Sequence, residues 1–206
     1  MATSLTLEND SSLAQGYIKV NGSTAATLTT SGITGNLTGN VTGNLTGSLT
    51  AGGSLTLATA QTASGTAVDF TGIPSWVKRI TVMFNGVSTS GVSEKRIQIG
   101  SGSFTTSGYI GSCLNSTSSG NGVTSATNGF GIRSNLAADS INGIMVIANV
   151  SSNTWIANGT FSNSAVETSI SGGQISLSGT LDRLRITTVN GTDTFDAGTI
   201  NISYEG

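Results

Sequence analysis

The sequence predicts an all-β protein in three parts: a short β-rich base over residues 1–30, a thin extended repeat stalk over residues 31–58, and a β-sandwich or jelly-roll knob over residues 59–206. Three observations carry this prediction. Charged residues are only 9% of the chain, and 29 glycines stand with Ser, Thr and Asn where Lys, Glu and Ala are usual. Apolar and polar residues alternate in short runs separated by turn residues. No run of useful length has helical periodicity. The scarcity of charge also argues against disorder, because disordered chains stay soluble through charge, whereas Val, Ile, Leu and Phe recur here at regular intervals.

In the base, Ser4-Leu5-Thr6-Leu7 and Tyr17-Ile18-Lys19-Val20 alternate polar and apolar side chains. Asn21-Gly22, directly after the second run, is a strong hairpin turn signal.

Residues 33–50 read ITGN-LTGN-VTGN-LTGS-LT, a period of four with Ile33, Leu37, Val41, Leu45 and Leu49 as its apolar members. A helical stripe would have the same period, yet every repeat holds a glycine, at a cost of about 1 kcal/mol each relative to alanine. In an extended chain the aliphatic residues and Gly35, Gly39, Gly43 and Gly47 share one face, with Thr and Asn on the other. Ordering the segment costs roughly 1–2 kcal/mol per residue, and burying an aliphatic side chain returns only about 1.5–3 kcal/mol. One strand alone does not balance. Three identical chains around an axis would bury the notched faces together, so a homotrimer is expected, with a stalk up to about 60 Å long.

After the stalk, Ser54-Leu55-Thr56-Leu57 closes the thin region, and the single proline, Pro74, marks a turn before the best strand, residues 77–84. Further strands are expected at 96–99, 129–133, 141–150, 154–161, 174–177, 181–189 and 199–204, bounded by Gly, Asn or Ser. Residues 181–189, Asn190-Gly191 and the final run suggest a closing hairpin.

Several classes of chemistry are excluded or disfavoured. With no histidine, imidazole catalysis and His metal sites are impossible. A single cysteine, Cys113, in a Ser/Gly-rich stretch expected to be a loop, allows neither an intrachain disulfide nor a Cys-only metal site. Asp193 and Asp196 lie close together, but flank Phe195 beside a turn, where Asp is ordinary loop chemistry. No Walker-type phosphate loop is present and no cofactor is implied. A net charge of -2 without basic runs gives no footprint for nucleic acid. No stretch reaches the roughly 20 apolar residues of a membrane span, and no signal peptide is recognisable, so synthesis in the cytosol without secretion is expected. Asn-x-Ser/Thr triplets at Asn36, Asn40, Asn158 and Asn201 follow from composition alone.

Trp76, Trp155, Tyr109 and Tyr204 are the aromatics able to stack on sugar rings; Trp76 is expected instead to anchor the core beside Pro74, Trp155 is balanced between core and surface, and Trp155 and Tyr109 are the candidates for contact with a host surface glycan. Lys78-Arg79, Lys95-Arg96 and Arg183-Arg185 are the basic clusters, and the alternation of Arg183-Leu184-Arg185 fits an outward strand face.

Two stretches carry a resemblance. Residues 17–32, YIKVNGSTAATLTTSG, leading into the G-N-L-T repeats, resemble the shafts of tailed-phage virion fibres, including those of cyanobacterial phages. Residues 62–91, TASGTAVDFTGIPSWVKRITVMFNGVSTSG, resemble a knob opening found in small phage fibre and decoration proteins. The resemblance covers less than half the chain. It implies a non-enzymatic trimer on the virion surface, attached to capsid or tail proteins through the base, with no catalytic residues to carry over. A head fibre or decoration protein is favoured because the base is small for a tail attachment domain; a short tail fibre binding a host glycan or receptor is the alternative. A glycan-degrading tailspike suits the sequence less, since the chain is short and lacks β-helix repeats and a convincing acidic pair.

Overall fold

The computed structural model describes the backbone of residues 5–10, 15–20, 23–29, 32–34, 55–134, 136–137 and 139–206, with side chains from residue 55 onward. Every regular element among the described residues is a β-strand, and every strand pairing is antiparallel. The chain divides into two units, residues 1–47 and 48–206.

In the first unit, β1 (Leu5–Asp10), β2 (Gln15–Val20), β3 (Ser23–Thr29) and β4 (Gly32–Thr34) pair in sequential order. The two alternating runs expected to be strands are β1 and β2. Val20 pairs with Ser23, so β2 and β3 flank the Asn-Gly turn signal as a hairpin. Ile33 lies in β4, opposite Leu28. The other eight proposed stalk positions, Gly35, Leu37, Gly39, Val41, Gly43, Leu45, Gly47 and Leu49, lie outside the described residues.

The second unit begins with the short strands β5 (Thr56–Leu57) and β6 (Gln61–Thr62), followed by β7 (Ala67–Thr71), β8 (Arg79–Thr89), β9 (Lys95–Ser101) and β10 (Ser103–Phe104). Then come β11 (Ile110–Thr117), β12 (Gly120–Ser125), β13 (Phe130–Ile132) and β14 (Ile141–Ser151). The chain ends with β15 (Thr154–Ser162), β16 (Thr168–Ser176), β17 (Arg183–Thr188) and β18 (Phe195–Glu205). They form a five-stranded sheet, β10-β9-β17-β7 with β13 also on β9, and a nine-stranded sheet, β12-β11-β16-β15-β14-β8-β18-β5 with β6 also on β18.

Alternation of side chains explains why the sheets share one core. Ile97, Ile99, Leu184 and Ile186 from the smaller sheet join Ile80, Val82, Met145, Ile147, Ile200 and Ile202 from the larger in a single buried cluster. Along β15 the pattern is strict: Trp155, Ala157 and Phe161 face inward, with polar residues or Ile156 between them. Near β13 the interior turns polar. There the inward residues of β16 include Ser169 and Ser171; Ser169 Oγ accepts from Arg133 N–H at 3.2 Å and Ser171 Oγ donates to the Gly131 carbonyl. Small hydroxyl side chains let β13 approach β16 closely while satisfying backbone groups of the facing sheet.

The expected closing hairpin is not formed. β17 lies between β9 and β7 in the five-stranded sheet, whereas β18 pairs with β8 in the other. The Asn190-Gly191 turn is present, with Asn190 Oδ1 accepting from the N–H groups of Thr192 and Asp193 at 3.1 Å. It redirects the chain across the core. Both flanking strands carry an apolar face, and each buries that face against the same core from opposite sides.

Close approach shapes one end of the large sheet, where register slips occur on both sides of Ala197 in the β18–β8 pairing. Gly198 sits there at φ +92°, and a Cβ on it would lie 2.4 Å from the Gly86 carbonyl oxygen, so no larger residue fits this bulge. Beyond it the end of β8 is buried at consecutive residues Val87, Ser88 and Thr89.

Candidate functional site

Strand position sets the exposure of each residue that the sequence points to. Trp155 and Tyr109 are each only 3% exposed, which withdraws both as glycan contacts. Trp155 faces inward because the β15 alternation puts odd-numbered residues on the core side. Tyr109 is a brace between the sheets: its hydroxyl accepts from Ile99 N–H at 2.9 Å and donates to the Ile99 carbonyl at 3.3 Å, while its ring meets Phe130 edge-on at 5.1 Å. Burial pushes the phenol up to about 12. Trp76 reverses the expectation of a core anchor. It is 41% exposed and its ring tilts against Tyr204 at 5.8 Å, while its neighbour Val77 takes the buried place in the core.

Asp193 and Asp196 serve the turn and the bulge. Asp193 accepts from Ser93 N–H and Asn190 Nδ2 at 2.9 and 2.8 Å, bonds that hold its carboxyl below the usual range, the Asn190 contact foremost. Asp196 accepts from Ser88 Oγ. Cys113 lies on β11, not in a loop, with its thiol buried against Gly131 and pushed up to about 11 by burial and then by the Glu94 charge. Arg183 and Arg185 do lie outward, either side of buried Leu184: Arg185 makes a two-pronged ion pair with Asp69 at 2.7 Å and stacks over Phe104 at 4.1 Å.

The structure also assembles a polar cluster that sequence reasoning missed. Asn163 Nδ2 donates both to Asp139 Oδ2 at 3.0 Å and to Glu167 Oε2 at 2.9 Å, bridging two carboxylates far apart in sequence. Ser134 Oγ and Asn115 Nδ2 donate to the same two acids at 3.1 and 2.9 Å. The adjoining cavity, lined by Asn115, Ser134, Asn163, Glu167 and Ser169, is about 10 Å³, room for one water and nothing larger. Asn115 Oδ1, buried there without a protein partner among the described residues, is the acceptor such a water would serve. Asp139 and Glu167 therefore act as loop anchors, their carboxylates taken up by Asn163, Ser134 and Asn115. No short motif announces the pair, since only the pairing of β14, β15 and β16 brings the two loops together.

Lys95 is the other unexpected group. It lies on β9 with its neighbours Ile97 and Ile99 facing the core, is 0% exposed, and its ammonium has no hydrogen-bond partner among the described residues. Burial lowers its pKa, opposed by the fields of Asp139, Asp193 and Asp196. A lowered amine can be a nucleophile, yet one sealed from solvent has no substrate to attack.

The C-terminal unit is a two-sheet antiparallel β-protein in which Tyr109, Asp139, Glu167, Asp193, Asp196 and Arg185 are engaged in turns, braces and ion pairs. No family model, curated protein or solved structure matches the chain.

Proposed function

We propose that this protein is a non-enzymatic structural component of a phage particle, a homotrimer on the virion surface acting as a head fibre or capsid decoration protein. The observation that carries the reading is the notched apolar repeat of residues 33–50, which one chain cannot bury, joined to a two-sheet unit whose chemistry is structural. The four-stranded meander of β1 to β4 is the part that attaches to capsid or tail proteins, and the C-terminal unit faces outward. Deleting residues 1–30 abolishes incorporation into particles, whereas deleting residues 59–206 leaves it intact; mass spectrometry of purified particles reads both, and the opposite pattern overturns the assignment. Gly39→Val with Gly43→Val weakens assembly, measured by mass photometry.

A second reading, a short tail fibre that binds a host glycan, draws on the tryptophan that the sequence favoured as a core anchor. Trp76, exposed beside Tyr204, offers an aromatic face of the kind that stacks on sugar rings. Loss of particle adsorption to host cells in Trp76→Ala, with assembly unchanged, favours this alternative.

A further inference from the structure

The two sheets of the C-terminal unit turn very different outer faces to their surroundings. On the five-stranded sheet the outward positions carry Asp69, Asp182, Arg183 and Arg185, paired in exposed or half-buried salt bridges. This is a face built for water. The nine-stranded sheet is different. Its register sets Val123, Leu114, Ile170, Thr160, Ile144 and Met83 side by side across β12, β11, β16, β15, β14 and β8. Two rows further along, Ile110 and Ile156 flank Gln174 on the same face. Ile110, Val123, Ile144, Ile156 and Ile170 are all exposed large hydrophobics. Across the outward positions of these six strands the one charge among the described residues is Arg79, which pairs with Glu205 of β18 at 3.0 Å; Asp196, exposed on β18, accepts from Ser88 Oγ.

We infer that this outer face, centred on Ile144 and Ile170, packs against another copy of the same chain. The inference rests on reading the protein as a self-assembling structural component, and it names the surface by which the C-terminal units would meet. Size supports it. Six strands about 4.8 Å apart, and four outward rows along them, give a face of about 30 by 24 Å, or about 700 Å², close to the roughly 800 Å² that each partner contributes to a standard stable interface. Charge supports it too: a neutral face has nothing to match a partner of opposite sign, whereas a flat surface of aliphatics spaced by Thr160, Asn158 and Gln174 is complementary to itself. Copies joined elsewhere in the chain would also hold these faces at high effective concentration.

The test uses the full-length chain with cysteine placed at Ile144, at Ile170 or, as an open reference, at Val92, which is exposed in the loop between β8 and β9. Native Cys113 is buried and contributes little background. At micromolar protein, with oligomeric state read by mass photometry, a maleimide probe is expected to label Ile144→Cys and Ile170→Cys at least tenfold more slowly than Val92→Cys. A variant that drops to monomer while Val92→Cys remains oligomeric supports the same conclusion. Equal labelling rates in an intact oligomer overturn the interface while leaving self-assembly standing. A monomeric wild-type chain overturns both.

Discussion

Replacing Lys95 by methionine should make this protein more stable, and the gain should shrink as pH rises. The side chain is wholly buried and its ammonium is unpartnered among the described residues, with Asp139, Asp193 and Asp196 acting on it only through their fields. Methionine keeps an unbranched apolar stem of similar length and removes the charge. Substitutions of apolar groups for buried charges gain on the order of 1–4 kcal/mol when packing is preserved. For a unit of this size, 1 kcal/mol moves Tm by about 2–4 °C, so the variant should melt roughly 2–16 °C higher at pH 7. The pH dependence follows from linkage. Burial lowers the Lys95 pKa in the folded state, whereas the unfolded chain titrates near about 10.5. Between these two values the unfolded state binds more protons, so wild-type stability contributed by this group rises with pH until about 10.5. In Lys95→Met that slope is absent, and the two proteins converge in alkaline solution. Urea midpoints at pH 7, 8.5 and 10 measure it. A variant destabilised by more than about 1 kcal/mol at pH 7, where breaking a true buried ion pair would cost about 3–5 kcal/mol, would refute the reasoning and show that the ammonium is paired in solution.

Three further outcomes follow from the same packing. Tyr109→Phe strips the hydroxyl from the Ile99 N–H and carbonyl, leaving a buried donor without that partner, and should cost about 1–3 kcal/mol by denaturant titration. Gly198→Ala forces a Cβ into the Gly86 carbonyl at positive φ, so where a compatible glycine-to-alanine change would gain up to about 1 kcal/mol, this one should lose more than that, read as a fall in Tm. Cys113, with its thiol raised to about 11, should stay unreactive toward a thiol reagent at pH 8 in the folded protein and react fully in denaturant.

Much of the strand pattern was legible because inward positions on most strands are large and aliphatic. The runs at 77–84, 141–150 and 154–161 correspond to most of β8, β14 and β15, since alternating Val, Ile and Phe declare a sheet with one buried face. β11, β12 and the first half of β16 escaped for the opposite reason. Their residues are mainly Gly, Ser, Thr and Asn, and where the sheets approach closely at Ser171, Gly131 and Cys113 only small side chains fit inward. A strand that packs through serine looks, in one dimension, like a loop.

By itself the sequence determined the class of the protein: charge too sparse for disorder, glycine and hydroxyl residues too frequent for helices, and no histidine for imidazole chemistry. It also declared the strands that bury aliphatic faces. Which strands became neighbours was decided only in three dimensions, because an apolar face specifies that it must be covered and says nothing about which sheet covers it. That is why Asn190-Gly191 carries the chain from one sheet to the other, why Trp155 and Tyr109 are sealed while Trp76 is open, and why Lys95 lies inside. Burial is a property of the packed sheets, set by register and by which side of the core each strand joins.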